Sequence, residues 1–162
     1  MINQIFDRAL LQLRNNNFES FKELATIQDV INYKDKEQRT LLFYAIIEEK
    51  YLFFDYLLKN KAFINVVDRH GYSPLHYAIN EYRIRMVRKL IDNGANIEMF
   101  DSYGNNVIAR AVLTSKGRKD IINYLLEKGA NPNIPNYKGY TAIDMAKVIG
   151  NKSIIELFSV FL

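Results

Sequence analysis

The chain has 162 residues, a formal charge of +4 and no cysteine, which excludes disulfides, thiolate chemistry and cysteine metal sites together. No stretch approaches the ~20 apolar residues of a membrane span. The amino-terminal MINQIFDRALLQLRNN places Asp7, Arg8 and Arg14 where a signal peptide needs an unbroken apolar run, so the expectation is a soluble, cytoplasmic protein.

Taken in chain order, the sequence divides into units set by Asp35, Asp68 and Asp101, which advance by 33 residues each time. A degenerate first unit, about 1–34, serves as an amino-terminal cap. The second, 35–67, carries Gln38, Leu41 and Phe43 at three marker positions, then the apolar stripe Phe53, Phe54, Leu57 and Leu58. The third, 68–100, is the most regular. Gly71 follows Asp68 by three residues, Ser73 is placed to cap a helix, and Pro74 stands where a first helical residue needs no amide donor. Leu75, Ala78 and Ile79 mark one helix face, Glu81-Tyr82 a turn, and Ile84, Met86, Val87, Leu90 and Ile91 a second helix. Gly94 then supplies a left-handed end. The fourth unit, 101–135, starts its helix at Asn106-Val107-Ile108-Ala109 and is two residues longer, through TSKGRK at 114–119. Its stripe is Ile121, Ile122, Leu125 and Leu126. The fifth, 136–162, retains Thr141, followed by Ala142 and Asp144, and closes on Ile154, Ile155 and Phe158 as a carboxyl-terminal cap. Neither helix of a unit can bury its apolar side alone, so stability must come from stacking.

Residues 68–100, DRHGYSPLHYAINEYRIRMVRKLIDNGANIEMF, follow the order of an ankyrin repeat. KNKAFINVVD (59–68), DNGANIEMFD (92–101) and EKGANPNIPN (127–136) are copies of its end. The chain resembles the ankyrin repeat family over nearly its whole length. The resemblance implies an all-α solenoid of about five helix–turn–helix units joined by β-hairpin-like loops. It also implies that loop tips and first helices line a concave side, and that His76 braces adjacent turns. Gln38 and the extended 114–119 loop depart from the pattern and put regular turn geometry in question there.

Catalysis needs converging groups of suitable pKa, and the chain offers two histidines, no phosphate-binding glycine loop and no metal set. The expectation is a non-enzymatic protein without cofactor. Candidate partner contacts are Arg69, His70, Tyr72, Phe100, Tyr103, Tyr137 and Tyr140 on the tips, and Tyr77, Glu81 and Arg110 on the first helices. Tyrosines at turns exceed what turn chemistry asks for, and tyrosine is enriched in interface hot spots. Toward the carboxyl end the first helices offer Leu113, Val148 and Ile149, which makes that part of the groove apolar. A basic row, Lys50, Arg83, Lys116, Arg118 and Lys119, lies near the turns between paired helices and would steer an acidic partner.

The leading expectation is a module that binds a protein partner and inhibits, neutralises or scaffolds it, in the manner of the immunity proteins and effectors that use this fold. Nucleic acid through the basic row is disfavoured, because 18 acidic residues are interspersed among 22 basic ones. A third possibility is self-association through Val160, Phe161 and Leu162, although a fold-back that closes the core, and a monomer, are preferred.

Overall fold

The computed structural model describes residues 1–161, so Leu162 lies outside the described residues. Ten α-helices occur among them, paired in chain order. These are α1 Ile2–Arg14 with α2 Phe18–Ala25, α3 Leu41–Ile47 with α4 Tyr51–Lys59, and α5 Pro74–Asn80 with α6 Ile84–Asp92. Then follow α7 Val107–Thr114 with α8 Asp120–Glu127, and α9 Ala142–Ile149 with α10 Lys152–Ile155, which runs into a 3₁₀ turn over Glu156–Phe161. First helices stack on first helices, α1 on α3, α3 on α5, α5 on α7 and α7 on α9, and α6 stacks on α8. One core therefore runs the length of the stack from Phe6 to Phe158. The fold is an all-α solenoid, and the one strand-like pairing among the described residues is the isolated bridge Phe100–Asn106.

Helix starts follow from local chemistry. Ser73 Oγ accepts from His76 N, and Ser73 N donates to His76 Nδ1 at 3.2 Å, so cap and third residue satisfy each other. Thr141 and Asp144 reproduce this with a carboxylate, since Asp144 Oδ2 accepts from Thr141 N at 3.0 Å. The aspartate that departs from the repeat pattern thus does the histidine's local work. Asn106 caps α7 one-sidedly through Ala109 N. Thr40, followed by Phe43 at the third position, makes no side-chain cap, and its hydroxyl is buried without a partner.

Left-handed backbone recurs at three places in the repeating unit. Tip residues Gln38, Gly71, Gly104 and Gly139 have φ between 60° and 81°. Asn16, Glu49 and Tyr82 occupy the turn between paired helices with φ of 55–57°. Lys61, Gly94 and Gly129 end the second helices with φ of 60–89°. Gln38 therefore keeps the regular tip without glycine, and its amide donates to Asp35 O at 2.9 Å like those of its glycine counterparts. The extended loop absorbs its two extra residues through Lys116 and Gly117, both at positive φ, closed by Arg118 N donating to Ser115 O.

Along one edge a polar ladder repeats at the same 33-residue spacing. Asn32 Oδ1 accepts from Phe63 N, Asn65 Oδ1 from Asn96 N, and Glu98 Oε1 from Asn131 N, at 2.7–2.9 Å. At the carboxyl end Phe158 is fully buried, with Lys152, Glu156 and Ser159 exposed as a polar strip. Val160 does not cover the core as expected from the sequence, and the part of that expectation that falls on Leu162 lies outside the described residues. Val160 is 84% and Phe161 38% exposed, because the 3₁₀ turn directs Phe158 inward and turns Val160 outward.

Candidate partner-binding surface

The marker aspartates build the tips. Oδ1 of Asp35, Asp68 and Asp101, and of Asn136 in the last unit, accepts from the backbone amides two and four residues on, at 2.8–3.0 Å. That need for an acceptor is why Asp or Asn recurs at one place in every tip.

The second carboxylate oxygen links the units. Asp68 Oδ2 accepts from Tyr77 OH at 2.8 Å and from Arg39 Nε and Nη2 of the preceding tip at 3.3 and 3.2 Å. Arg39 also donates to the Tyr77 hydroxyl and lies over its ring. One unit further on, Asp101 accepts from Arg110, which also donates to Tyr72 OH at 2.6 Å and lies over the Tyr72 ring. The last link is Asn136 Nδ2 donating to Asn105 Oδ1. Desolvation works to raise the Asp68 carboxyl, but hydrogen bonds from Tyr77, the Tyr72 and His70 amides and Arg39 hold it below the usual carboxylate range. Desolvation acts on Asp101 in the same way and is outweighed by Asn105, the Tyr103 amide and Arg110. Burial first, then its bond to Asp68, raises Tyr77 to about 12.

This network divides the residues singled out from sequence. Tyr72, Tyr77 and Arg110 are half-buried and engaged between units. Arg69 is exposed and pairs with Glu37 at 2.9 Å. His70 and Glu81 are exposed. Phe100, Tyr103, Tyr137 and Tyr140 are exposed, Tyr137 most of all at 79%. His76 is fully buried and spends Nδ1 on its own turn. Its Nε2 makes no hydrogen bond, although the Asn105 backbone of the next tip lies close enough to favour the protonated ring. Bracing between units falls mainly to the aspartate–arginine–tyrosine links instead.

Most of the basic row is similarly engaged. Lys50 Nζ donates to Arg14 O and Asn16 Oδ1, and Arg83 pairs with Glu49. Arg118 lies 3.4 Å over the Tyr82 ring and donates to Ser115 O. Lys116 and Lys119 are exposed. In the second unit Glu48 is paired by Arg14 and Glu49 by Arg83.

Free apolar surface gathers at the fourth and fifth units. Leu113, Tyr140, Met145, Val148 and Ile149 line a recess of about 220 Å³. A second recess, lined by Ser102, Tyr103, Asn105, Asn136, Tyr137 and Lys138, shares Leu113 and Met145 with the first. The two are thus continuous. Tyr137 is fixed at this rim by glycine, because a Cβ on Gly104 would come within 2.6 Å of its ring. Met145 escaped the sequence reading, while Arg39 and Asn105 are legible as tip residues but do not stand among the candidate contacts. Their signal was positional, four and nine residues after the marker residue of each tip.

Among the described residues no three His, Asp or Glu side chains converge as a metal site requires, and no helix is long and apolar enough to cross a membrane. Stacked helix pairs joined by aspartate-closed tips define a solenoid of repeated units. A family profile described as ankyrin repeats, in three copies, matches residues 9–101 and 53–136, and the chain belongs to the ankyrin repeat family. Ankyrin repeats are in general protein–protein interaction modules. No curated protein matches the chain.

Proposed function

We propose that this chain is a non-enzymatic interaction module that captures one protein partner on the tips and first helices of its fourth and fifth units, and neutralises or scaffolds it by occupying its surface. One observation carries the reading. Tyr103, Tyr137 and Tyr140 stand exposed around a continuous recess floored by Leu113, Met145, Val148 and Ile149. Contiguous apolar surface of this kind on a monomer marks a contact site. Tyrosines there give large, stiff area that loses little entropy on binding, because the stack already holds it.

The test is affinity capture from the native cell, followed by titration of the recovered partner. Changing Tyr103, Tyr137 and Tyr140 together to serine is expected to weaken binding by several kcal/mol, at ~2 kcal/mol or more per hot-spot residue. All three side chains are exposed, so the helical circular-dichroism signal stays as it was. Unchanged affinity in the triple variant removes this surface from the proposal.

A further inference from the structure

We infer that the partner presents an acidic as well as apolar linear segment to this recess, seating one or two aliphatic or aromatic side chains with carboxylates beside them. The inference rests on the contact surface proposed above and adds the chemistry of what fills it. A volume of about 220 Å³ is smaller than the pockets that enclose whole drug-sized ligands, and suits one large side chain at a time. The adjoining recess, which shares Leu113 and Met145, offers the next position along.

Charge chooses the flanks. The one ionisable cation or carboxylate lining either recess is Lys138, and Lys147 is exposed next to Val148 on α9. Residues 101–162 carry eight lysines and arginines against five carboxylates. Six of those cations, Lys116, Arg118, Lys119, Lys138, Lys147 and Lys152, have no carboxylate within 4.0 Å among the described residues. The earlier units are balanced differently, since residues 1–100 carry 14 lysines and arginines against 13 carboxylates, and half of those cations, Arg39 and Arg83 among them, are in ion pairs. Free apolar surface and a net excess of positive charge therefore coincide at one end of the stack. A basic segment of equal apolar content would bring its charges within a Debye length of ~8 Å of like charges. Exposed ion pairs add little affinity, so the lysines would select and steer while the apolar contacts hold.

Short random peptides displayed on phage and selected against the full chain test this directly. The enriched peptides should combine aliphatic or aromatic residues with Asp or Glu. Their binding should fall roughly tenfold in a Lys138→Glu/Lys147→Glu variant, and fall with rising salt in the wild type. It should be lost in a Leu113→Ser/Val148→Ser variant, whose changes are confined to exposed side chains. Apolar peptides without acidic excess, or binding indifferent to the lysine variant, overturn the inference and leave the contact surface standing. Acidic peptides that bind the Leu113→Ser/Val148→Ser variant equally well place binding elsewhere and overturn both. No enrichment over the triple tyrosine variant overturns the linear segment. The proposed capture of a partner is then decided by the native-cell experiment alone.

Discussion

Burial keeps His76 neutral, lowering its pKa from 6.5 to about 4 despite the opposing pull of Asp101. Between those values the unfolded chain takes up a proton that the folded chain refuses. The stability tied to His76 is therefore complete above pH 6.5 and lost as pH falls towards 4, by on the order of 3 kcal/mol. Asp68 and Asp101, held below the carboxylate range, lose their contribution only at still lower pH. His76→Ala is expected to cost about 1–3 kcal/mol near neutral pH through the lost hydrogen bonds, and to flatten the slope between pH 6.5 and 4. Denaturant midpoints across that range measure both effects. An unchanged slope in the variant would refute the assignment.

Gly104 offers a second test at the scale of single residues. Its φ of +76° opposes a side chain, and so does the Tyr137 ring, which lies 2.6 Å from the place a Cβ would take. Gly139, at φ +81°, has nothing within 4 Å of that place. Gly139→Ala should therefore show only backbone strain, about 1 kcal/mol. Gly104→Ala should cost clearly more and displace Tyr137 from the recess rim. Equal melting temperatures for the two variants would mean that Tyr137 does not rest on Gly104.

At the scale of elements, the helices owe their ends to backbone conformations that the side chains tolerate unequally. Lys61 ends α4 at φ +60°, where α6 and α8 have Gly94 and Gly129. An L-residue in that region is disfavoured by roughly 1–2 kcal/mol, and the exposed Lys61 side chain makes no ion pair among the described residues. Lys61→Gly is accordingly expected to stabilise the fold by about 0.5–1 kcal/mol after the added freedom of the unfolded chain is offset. A thermal melt decides it, and a lowered midpoint would contradict the strain argument. The two-residue insertion before α8 shows how little such a turn constrains the stack. The extra chain loops out at Lys116-Gly117, and Ile121 and Ile122 remain buried in register.

Across the whole molecule, each helix pair relies on the next for its core, as expected of a structure whose units touch only their neighbours. Phe158 closes that core at the carboxyl end with no exposed surface, while Val160 two residues on is 84% exposed. Phe158→Ala should cost about 3–5 kcal/mol, and Val160→Ser should stay within about 0.5 kcal/mol. Guanidinium unfolding of the two variants checks the contrast. A large effect at Val160 would show that it is covered in solution. The contacts between units also leave the array's surface uneven. Lysines and arginines nearly balance carboxylates over residues 1–100, whereas residues 101–162 carry an excess of three, with most of those cations unpaired among the described residues and close to exposed tyrosines.

The repeat was legible without coordinates because its determinants are local. An acceptor at Asp35, Asp68 and Asp101 closes a tip within five residues, Ser73 and Thr141 cap helices within three, and apolar stripes mark the buried faces. Even the apolar character of Leu113, Val148 and Ile149 was readable from helix register. Which tip side chains are free was not readable. Tyr72 and Arg110 are 38 residues apart, and Arg39 and Asp68 are 29 apart. Exposed tyrosines and half-buried ones look alike until the stacking of units brings a guanidinium over one ring and leaves another bare. The basic row behaved in the same way, because Arg83 and Arg118 met Glu49 and Tyr82 only across packed turns. Short-range hydrogen bonding and periodicity wrote the fold into the chain. Contacts between units, made only by side chains distant in sequence, decided the surface that remains for a partner.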